Sequence, residues 1–347
     1  MTNANRPSRR LRVLVAVATA VAALATGCAE DSGGDGGGKT VRIGVGGQPL
    51  LVYLPTTLAE RLGYYRDAGV SVKLEDLQSG SNALQAFQGG SVDVVSGYYD
   101  HTIQMQAKKK DDVAFVNMLR YPSLVLAVSP KTDKKIDSIA DLKGAKVGVT
   151  SPGSSTDFFL KNLLVSNGMK ATDASAVTIG GDTTAVAAME RGRVDAAVMV
   201  DPSISQLQKR VGKDKVKILT DTRTGQDVRE DYGVSTYPAA SLYSSRDWIE
   251  GHKDQTRALA KAIVRALKFI DTHSAQQIAA KMPSKYAGDD PEVYVTAIAN
   301  AKDAYAKDGG FQSAGAEAVY KVLSRFSPEI ADADVDLKKT YTNAYLP

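Results

Sequence analysis

Apolar and polar residues after position 40 alternate in a way that predicts strands and helices in regular succession. Val41–Val45 alternates and is rich in β-branched residues, so we expect a strand there. The pattern continues with a helix over 55–62, a strand over 70–77, a helix over 82–88 and a strand over 92–96. Pro55 stands in the first turn of the first helix and Gly63 follows its end, as these residues prefer. The predicted order is βαβαβ, which is typical of a parallel sheet covered by helices.

The same order recurs about a hundred residues later. Strands over 145–149, 176–180 and 194–200 alternate with helices over 156–166 and 184–191. The closest local match sets Ala86 and Gly90-Ser91-Val92-Asp93 against Ala188 and Gly192-Arg193-Val194-Asp195. A short match could arise by chance, but it falls at the same place in both units. The repeat therefore predicts an α/β protein of two similar βαβαβ lobes with a cleft between them.

Two proline-containing segments are the expected crossings between the lobes. They are Ser129-Pro130-Lys131 and Tyr237-Pro238. Lobe one is then expected over 40–127 together with 238–347, and lobe two over 128–237. The region 247–347 is predicted to be helical, with Leu259 and Ile263 belonging to an apolar stripe that is more typical of a core than of a binding groove.

The N-terminus has the features of an export signal. Arg9, Arg10 and Arg12 accompany an apolar run that reaches Ala25, and Thr26-Gly27-Cys28 follows. Residues 1–27 are thus expected to be a signal peptide, with Cys28 as the lipidated first residue of the mature chain. The usual lipidation pattern has Leu where this chain has Ala25, so the alternative is an ordinary signal peptide followed by a chance cysteine. The Gly-rich, acidic stretch 28–39 is expected to be a flexible tether.

Composition excludes several classes of function. The net charge of +4 comes from four arginines in residues 1–27, and the remainder has 39 basic and 39 acidic residues. A balanced mature chain has no excess charge for binding nucleic acid. One cysteine allows no disulfide within the chain and no thiolate cluster, and the three histidines fall in different predicted elements. We therefore expect no metal and no cofactor.

Ligands of open α/β sheets bind beyond the carboxyl ends of the strands. Applied to the predicted strands, this rule selects loops that begin near Gly47, Gln78, Gly97, Ser151, Gly181 and Asp201, and the third of these loops runs through Asp100. Within these loops, the candidate ligand-binding residues are Gln48, Pro49, Ser79, Gly80, Ser81, Gly97, Tyr98, Tyr99, Gly153, Ser154, Ser155, Thr156, Asp182 and Asp201.

The segment Ser151-Pro152-Gly153-Ser154-Ser155-Thr156 follows a predicted strand and begins a predicted helix. Backbone N–H groups at a helix N-terminus, together with three hydroxyls, can surround an anionic group. The same residue types also cap helices, so the segment is either an anion site or a plain cap. Gly80-Ser81 is the corresponding loop of lobe one.

Side chains of two other kinds suggest what else the ligand carries. Tyr98 or Tyr99 could stack on a flat ligand or bond to it through a hydroxyl, although both could instead pack at the rim. Asp157, Asp182 and Asp201 would suit an amine or an amidine-like ring on the ligand. For Asp157 the alternative is a first-turn carboxylate that complements the helix dipole.

Five segments in order give the chain its resemblance to a known family. They are Ala59-Glu60-Arg61-Leu62-Gly63-Tyr64-Tyr65, Gln88-Gly89-Gly90-Ser91-Val92-Asp93-Val94, Asp141-Leu142-Lys143-Gly144-Ala145-Lys146-Val147-Gly148-Val149, Pro152-Gly153-Ser154-Ser155 and Gly192-Arg193-Val194-Asp195-Ala196-Ala197. Over about residues 40–330 the chain resembles the SsuA/THI5-like (NitT/TauT) substrate-binding proteins. That resemblance implies a type II periplasmic-binding-protein fold that closes on a ligand. It also implies an ABC permease and its ATPase as partners.

The expected function is capture of a small organic ligand without turnover. The family imports alkanesulfonates, taurine, nitrate, aromatic acids and pyrimidine precursors of thiamine, so a sulfonate, an aromatic acid or a pyrimidine is expected here. The protein is expected to be a monomer, held by lipid on the extracytoplasmic face of the cell membrane. One alternative is a ligand-sensing surface lipoprotein. Another is an enzyme like the family's fungal pyrimidine-precursor synthase, which carries a cysteine-rich motif that this chain lacks.

Overall fold

Five strands form the first sheet of the computed structural model, which describes residues 40–347. They are β1 (Val41–Val45), β2 (Val72–Asp76), β3 (Val94–Tyr98), β4 (Asp112–Asn117) and β10 (Ala240–Ser245). Their order is β2-β1-β3-β10-β4, with β1 parallel to β2 and β3, and β10 antiparallel to both of its neighbours. The three strands predicted for this lobe are confirmed, and β4 and β10 are additions that the pattern did not predict.

The second sheet repeats this arrangement. It contains β5 (Val125–Val128), β6 (Lys146–Val149), β7 (Ser175–Thr178), β8 (Ala196–Met199) and β9 (Ile218–Asp221). The order is β7-β6-β8-β5-β9, so an antiparallel strand again lies beside the third strand of the βαβαβ unit. Each sheet, with the helices that cover it, forms one lobe.

Fourteen helices are described besides short 3-10 turns. Those of the two βαβαβ regions are α1 (Leu54–Arg61), α2 (Tyr64–Asp67), α3 (Gly80–Gln88), α4 (Asp100–Ala107), α5 (Ser155–Ser166), α6 (Thr183–Glu190), α7 (Ser203–Val211) and α8 (Gly225–Tyr232). Those that follow are α9 (Arg246–Gly251), α10 (Lys253–Thr272), α11 (Ala275–Ala279), α12 (Pro291–Ala301), α13 (Ser313–Phe326) and α14 (Pro328–Ala331). No helix in residues 40–347 is long and apolar enough to cross a membrane.

The chain changes sheet earlier than the sequence suggested. Val125–Val128 pairs with β8 and β9, so it belongs to the second sheet, and the first crossing falls in residues 118–124 instead of at Ser129-Pro130-Lys131. The physical reason is that strand pairing, which a single sequence does not display, decides the membership of an apolar run. The second crossing lies between β9 and β10 and includes Tyr237-Pro238, the segment selected from the sequence.

The C-terminal helices contact both lobes. Helix α10 packs on α1 and β4 of the first lobe, as expected. Helix α13 packs on α4 of the first lobe and also on α5 of the second, and α12 packs on α7 of the second. The region after residue 238 is therefore less confined to lobe one than expected, because its apolar faces cover helices on either side. Cys28, the segment 1–27 and the segment 28–39 lie outside the described residues.

Candidate functional site

Loops at the carboxyl ends of strands from the two sheets touch across the cleft. Ser155 Oγ at the start of α5 donates to Asp100 Oδ1 at the start of α4, at 2.9 Å. Leu51 N of lobe one donates to the carbonyl of Asp201 in lobe two, also at 2.9 Å. A Cβ placed on Gly153 would lie 3.9 Å from Ser81 Cβ. These contacts define a closed arrangement with the selected loops on both sides of one interface.

The hydroxyl-rich loop before α5 uses most of its hydroxyls internally. Thr156 Oγ1 accepts from Thr150 N at 3.0 Å, and Ser154 Oγ donates to Ser151 O at 2.6 Å. Ser154 occupies the N-cap position, yet its side chain makes no capping hydrogen bond. Ser155 is the member of this set whose hydroxyl reaches the other lobe. The first residues of α5 also present backbone N–H groups that have no carbonyl partner within the helix.

The facing loop of lobe one begins a second helix. Ser79 is the N-cap of α3, and its hydroxyl accepts from Asn82 N at 3.2 Å. A Cβ on Gly80 would lie 3.0 Å from His101 Cε1, tighter than ordinary contact, so a glycine suits this close approach. Ser81 is buried, with its Oγ 3.4 Å from that of Ser79. Two helix N-termini from different lobes thus meet at the cleft.

Asp100 and His101 are two buried titratable groups at this interface. Asp100 is 6% exposed and His101 is fully buried. Burial raises the pKa of Asp100, and the neighbouring His101 and the Ser155 hydrogen bond oppose that rise. Burial lowers the pKa of His101, and the charge of Asp100 opposes it. The His101 ring meets the ring of Phe158 from lobe two edge-on, at 5.9 Å between centroids.

Tyr98 and Tyr99 point to opposite sides of the first sheet. Tyr98 lines the cleft, and its hydroxyl donates to Pro122 O at 2.7 Å. Tyr99 packs against Phe311 and Tyr341 in the core, and its hydroxyl lies 2.5 Å from Thr340 Oγ1. The expectation that Tyr99 faces a ligand is therefore corrected. Strand β3 ends at Tyr98, and Tyr99 already has helical backbone angles before α4, so the chain turns between the two residues and directs their side chains to different sides.

Gly97 is also a structural residue here. It lies inside β3, where a Cβ would come within 2.9 Å of Val95 Cγ1 and 3.0 Å of Tyr243 Cε1. Its small size makes room for the Tyr243 ring, and it does not line the cavities at the interface. The predicted strand end at Ser96 was two residues short, and this error placed Gly97 beyond the strand.

Three further candidates surround the outer part of the cleft. Gln48 N donates to Asp76 Oδ1, and Gln48 Oε1 accepts from Tyr286 OH, each at 3.1 Å. Pro49 and Asp182 line a cavity of about 240 Å³ at the cleft mouth, where Asp182 also caps α6 by accepting from Thr184 N. These side chains border the entrance, whereas Ser155 and Asp100 lie at the buried interface.

Asp201 is held by charged and polar neighbours. Its carboxylate lies 3.0 Å from Arg223 Nη1 and accepts from Ser205 Oγ at 2.5 Å. Asp157 is likewise paired, with Lys161 at 2.7 Å, and accepts from Gly153 N at 2.8 Å. Two of the three acids that the sequence offered as amine ligands, Asp157 and Asp201, therefore already have a basic partner.

Two small cavities adjoin the Asp100–Ser155 contact. The first, of about 20 Å³, lies between the N-termini of α3 and α5 and reaches Tyr53. The second, also about 20 Å³, is mostly aromatic, and Asp100 forms part of its wall. Its aromatic walls are Tyr98, Phe158, Phe159, Tyr232 and Tyr237.

Sequence reasoning missed much of this lining, although partial signals existed. Tyr237 stands in the segment selected as a crossing, and Phe158 lies one turn into the helix that begins at Ser155. Tyr53 precedes a helix with Pro55 in its first turn, a position that the strand-end rule does not select. Among residues 40–347, no group of three or more His, Cys, Asp or Glu side chains could hold a metal ion.

The two sheets, each with an antiparallel strand inserted beside its βαβαβ unit, define a type II periplasmic-binding-protein fold. The NMT1/THI5 like family matches residues 52–276, and the chain belongs to that family. The predicted fold class and family are confirmed. A comparison with curated proteins gives no significant match.

Solved structures extend this result. A protein from Bordetella bronchiseptica RB50 is 40% identical with a TM-score of 0.83, covering 88% of this chain and 95% of that one. The alkanesulfonate-binding protein SsuA from Xanthomonas axonopodis pv. citri, bound to MOPS, is 18% identical with a TM-score of 0.70, covering 89% and 99%. The nitrate-binding protein NrtA from Synechocystis PCC 6803 is 14% identical with a TM-score of 0.62, covering 88% and 86%. At these identities, the last two comparisons show the fold alone.

Proposed function

We propose that this protein is the extracytoplasmic substrate-binding component of an ABC importer. It captures a small organic ligand between its lobes and delivers it unchanged to a permease and its ATPase. The observation that carries the proposal is the Ser155–Asp100 contact. At this contact the N-termini of two helices from different lobes meet, and the polar residues there are buried. An interface that is polar, buried and shared between two lobes suits a ligand that is enclosed when the lobes close.

The ligand classes that we propose are a sulfonate, an aromatic acid or a thiamine-pyrimidine precursor. The proposed binding site for an anionic group of the ligand is the N-terminus of α5 at Ser154, Ser155 and Thr156. Gly80 and Ser81 at the N-terminus of α3 form the side of this site that belongs to lobe one. A helix N-terminus contributes about 0.3–1 kcal/mol, or about 2 kcal/mol when partly buried. Micromolar affinity needs about −8 kcal/mol, so the dipoles alone are insufficient. Hydrogen bonds to a charged group add about 1.5–3 kcal/mol each, and several of them are required.

Entry of the ligand requires the lobes to separate. Each inner cavity of about 20 Å³ has room for little more than one water molecule, which needs about 10–15 Å³. Sites for small organic ligands usually enclose about 300–1,000 Å³. The two crossings, at residues 118–124 and between β9 and β10, are the segments that connect the lobes. We infer that they are the hinge.

The proposed location is the extracytoplasmic face of the cell membrane, with the folded part held by a lipid on Cys28 through the tether 28–39. The 11 residues between Cys28 and Thr40 include five glycines and three acidic residues. Such a segment favours an extended, solvated chain. A monomer is proposed, because both lobes belong to one chain and can enclose a ligand without a second copy of the protein.

The test is a thermal-shift screen of the purified mature protein against alkanesulfonates, aromatic acids and aminopyrimidines. A ligand at a hundredfold excess over its Kd stabilises by about 2.7 kcal/mol, which such a screen detects. Hits are incubated with the protein for hours and recovered for mass spectrometry, with Ser155→Leu as the site-blocked control. Binding with full recovery of intact ligand, and lost uptake when the gene is deleted, supports the proposal. Formation of any product contradicts the non-enzymatic function, and unchanged uptake contradicts import.

A further inference from the structure

Three buried aspartates lie in the loops that border the cleft, and their partners differ. Asp201 is paired with Arg223 and Asp157 with Lys161. Asp100 has no Lys or Arg within salt-bridge distance among residues 40–347, and its one side-chain donor is the Ser155 hydroxyl. A buried carboxylate without a cation is costly, because burial removes water that no opposite charge replaces. Asp100 is therefore the one of these three buried aspartates without a Lys or Arg partner, and its basic neighbour is the buried ring of His101, whose pKa burial lowers.

The surroundings of Asp100 are phenolic and aromatic. Its charge adds to the rise in the pKa of Tyr53, Tyr98 and Tyr237, a rise that burial causes first. The aromatic cavity, lined by Asp100 together with Tyr98, Phe158 and Tyr237, contains no Lys or Arg in its described wall. Aromatic faces attract positive charge and accept flat rings. This wall therefore favours a ligand group that is positively charged or that donates hydrogen bonds.

We propose that the ligand presents a hydrogen-bond-donating nitrogen, as an ammonium, an amine or an aminated heterocycle, to the carboxylate of Asp100. This inference rests on the proposed binding function and deepens it. An ionised carboxylate has about four acceptor positions, and Ser155 fills one of them at Oδ1. The apolar or flat part of the ligand lies against Tyr98, Phe158 and Tyr237. An anionic group on the same molecule meets the starts of α3 and α5.

The proposal discriminates within the classes named above. A ligand that is only an anion would bring a second negative charge to Asp100, with no donor to offset it. Taurine-like zwitterions, amino-substituted aromatic acids and aminopyrimidines fit, whereas simple alkanesulfonates, unsubstituted aromatic acids and nitrate do not. The decisive comparison is therefore between molecules that differ in the nitrogen donor alone.

Three matched pairs make that comparison by titration calorimetry on the whole mature protein. They are taurine against ethanesulfonate, 4-(aminomethyl)benzoate against 4-methylbenzoate, and 4-amino-2-methylpyrimidine against 2-methylpyrimidine. We expect at least one donor-bearing member to bind at least about tenfold more tightly than its partner, the effect of one hydrogen bond to a charged group. Tighter or equal binding of the donor-free member in every pair that binds overturns the proposal, and so does failure of all three donor-bearing compounds to bind.

Substitution at Asp100 tests the assignment to this residue. Asp100→Asn keeps the size and the acceptor for Ser155 but removes the charge, so it should reduce the preference within the pair to less than about threefold. Asp112→Asn is the matched control, since Asp112 is a buried aspartate at the opposite end of the first sheet, and it should leave the preference unchanged. An unchanged preference in Asp100→Asn contradicts the proposal.

Asp100→Glu is a second variant for the case in which Asp100→Asn does not fold. It keeps the negative charge but moves the carboxylate, so it should also lower the preference for the donor-bearing member of the pair. A preference unchanged in that variant likewise contradicts the assignment. Failure of the binding function itself is recognised separately. In that case neither these compounds nor any molecule from a complete growth-medium extract stabilises the parent protein.

Discussion

The contact between Ser155 and Asp100 links closure to binding, and replacing Ser155 by Ala tests that link. In the closed arrangement, Ser155 Oγ donates to Asp100 Oδ1 at 2.9 Å and Ser155 is 7% exposed. In an open arrangement, water can solvate both groups. The substitution therefore removes a hydrogen bond from the closed state while changing the open state little.

The magnitude follows from the charge on the acceptor. A hydrogen bond to a charged group is worth about 1.5–3 kcal/mol, and a water molecule taken into the adjoining cavity of about 20 Å³ can offset part of its loss. We expect ligand binding to weaken about tenfold in Ser155→Ala, which corresponds to about 1.4 kcal/mol. Ser155→Leu also inserts bulk between the lobes, at about 1–3 kcal/mol, so binding should fall about a hundredfold or more.

Titration calorimetry on both variants, with melting of the ligand-free proteins, measures these effects. Ser166→Ala is the matched control, because Ser166 is the exposed last residue of the same helix. The control should bind like the parent, and all three variants should melt close to the parent without ligand. Parent-like binding by Ser155→Leu would refute the placement of the site at the start of α5. Weak binding accompanied by a large loss of stability would show that Ser155 acts on folding instead.

Three further outcomes are expected. Cys28→Ala should release the protein from the membrane fraction while leaving it folded, and retention in that fraction would mean another anchor. Small-angle scattering should give a smaller radius of gyration with saturating ligand than without. Closure in the absence of ligand would bury Asp100 without a Lys or Arg partner, so the ligand-free protein should favour the open state. An unchanged radius would contradict hinge closure. Asp112→Asn should raise the free energy of unfolding at pH 7.5 and not at pH 4. Burial raises the pKa of Asp112 from 3.8 to about 6 in the folded state. Ionisation of this carboxyl group is therefore less favourable in the folded than in the unfolded state, and it lowers the free energy of unfolding as the pH rises from 3.8 through about 6. Two pKa units set an upper limit of about 3 kcal/mol, chemical denaturation at both pH values measures it, and an equal change at both would contradict the cause.

Local pattern determined the βαβαβ units and the helices that open at the cleft. Strands β1, β3, β6 and β8 lie within two residues of their predicted ends, because alternation of apolar residues and the Gly and Pro positions are short-range signals. The rule that ligands bind beyond the carboxyl ends of strands also identified Ser155 and the Gly80-Ser81 loop as candidates, since it depends only on the order of elements along the chain. Polar loops at the ends of predicted strands were thus accessible from the sequence alone.

Long-range pairing decided what the sequence could not. Val125–Val128 joined the second sheet through backbone hydrogen bonds to strands that lie about 70 and 90 residues further along the chain, and no local pattern specifies such partners. The sequence did not distinguish Tyr98 from Tyr99 as the residue that contacts the ligand. The turn into α4 directs Tyr98 to the cleft and Tyr99 to the core. The same holds for the acids. Asp157, Asp201 and Asp100 are all aspartates at loop ends, and only the tertiary structure gave a basic partner to the first two and left Asp100 with a hydroxyl, because charge pairing depends on which side chains folding brings within a few ångströms.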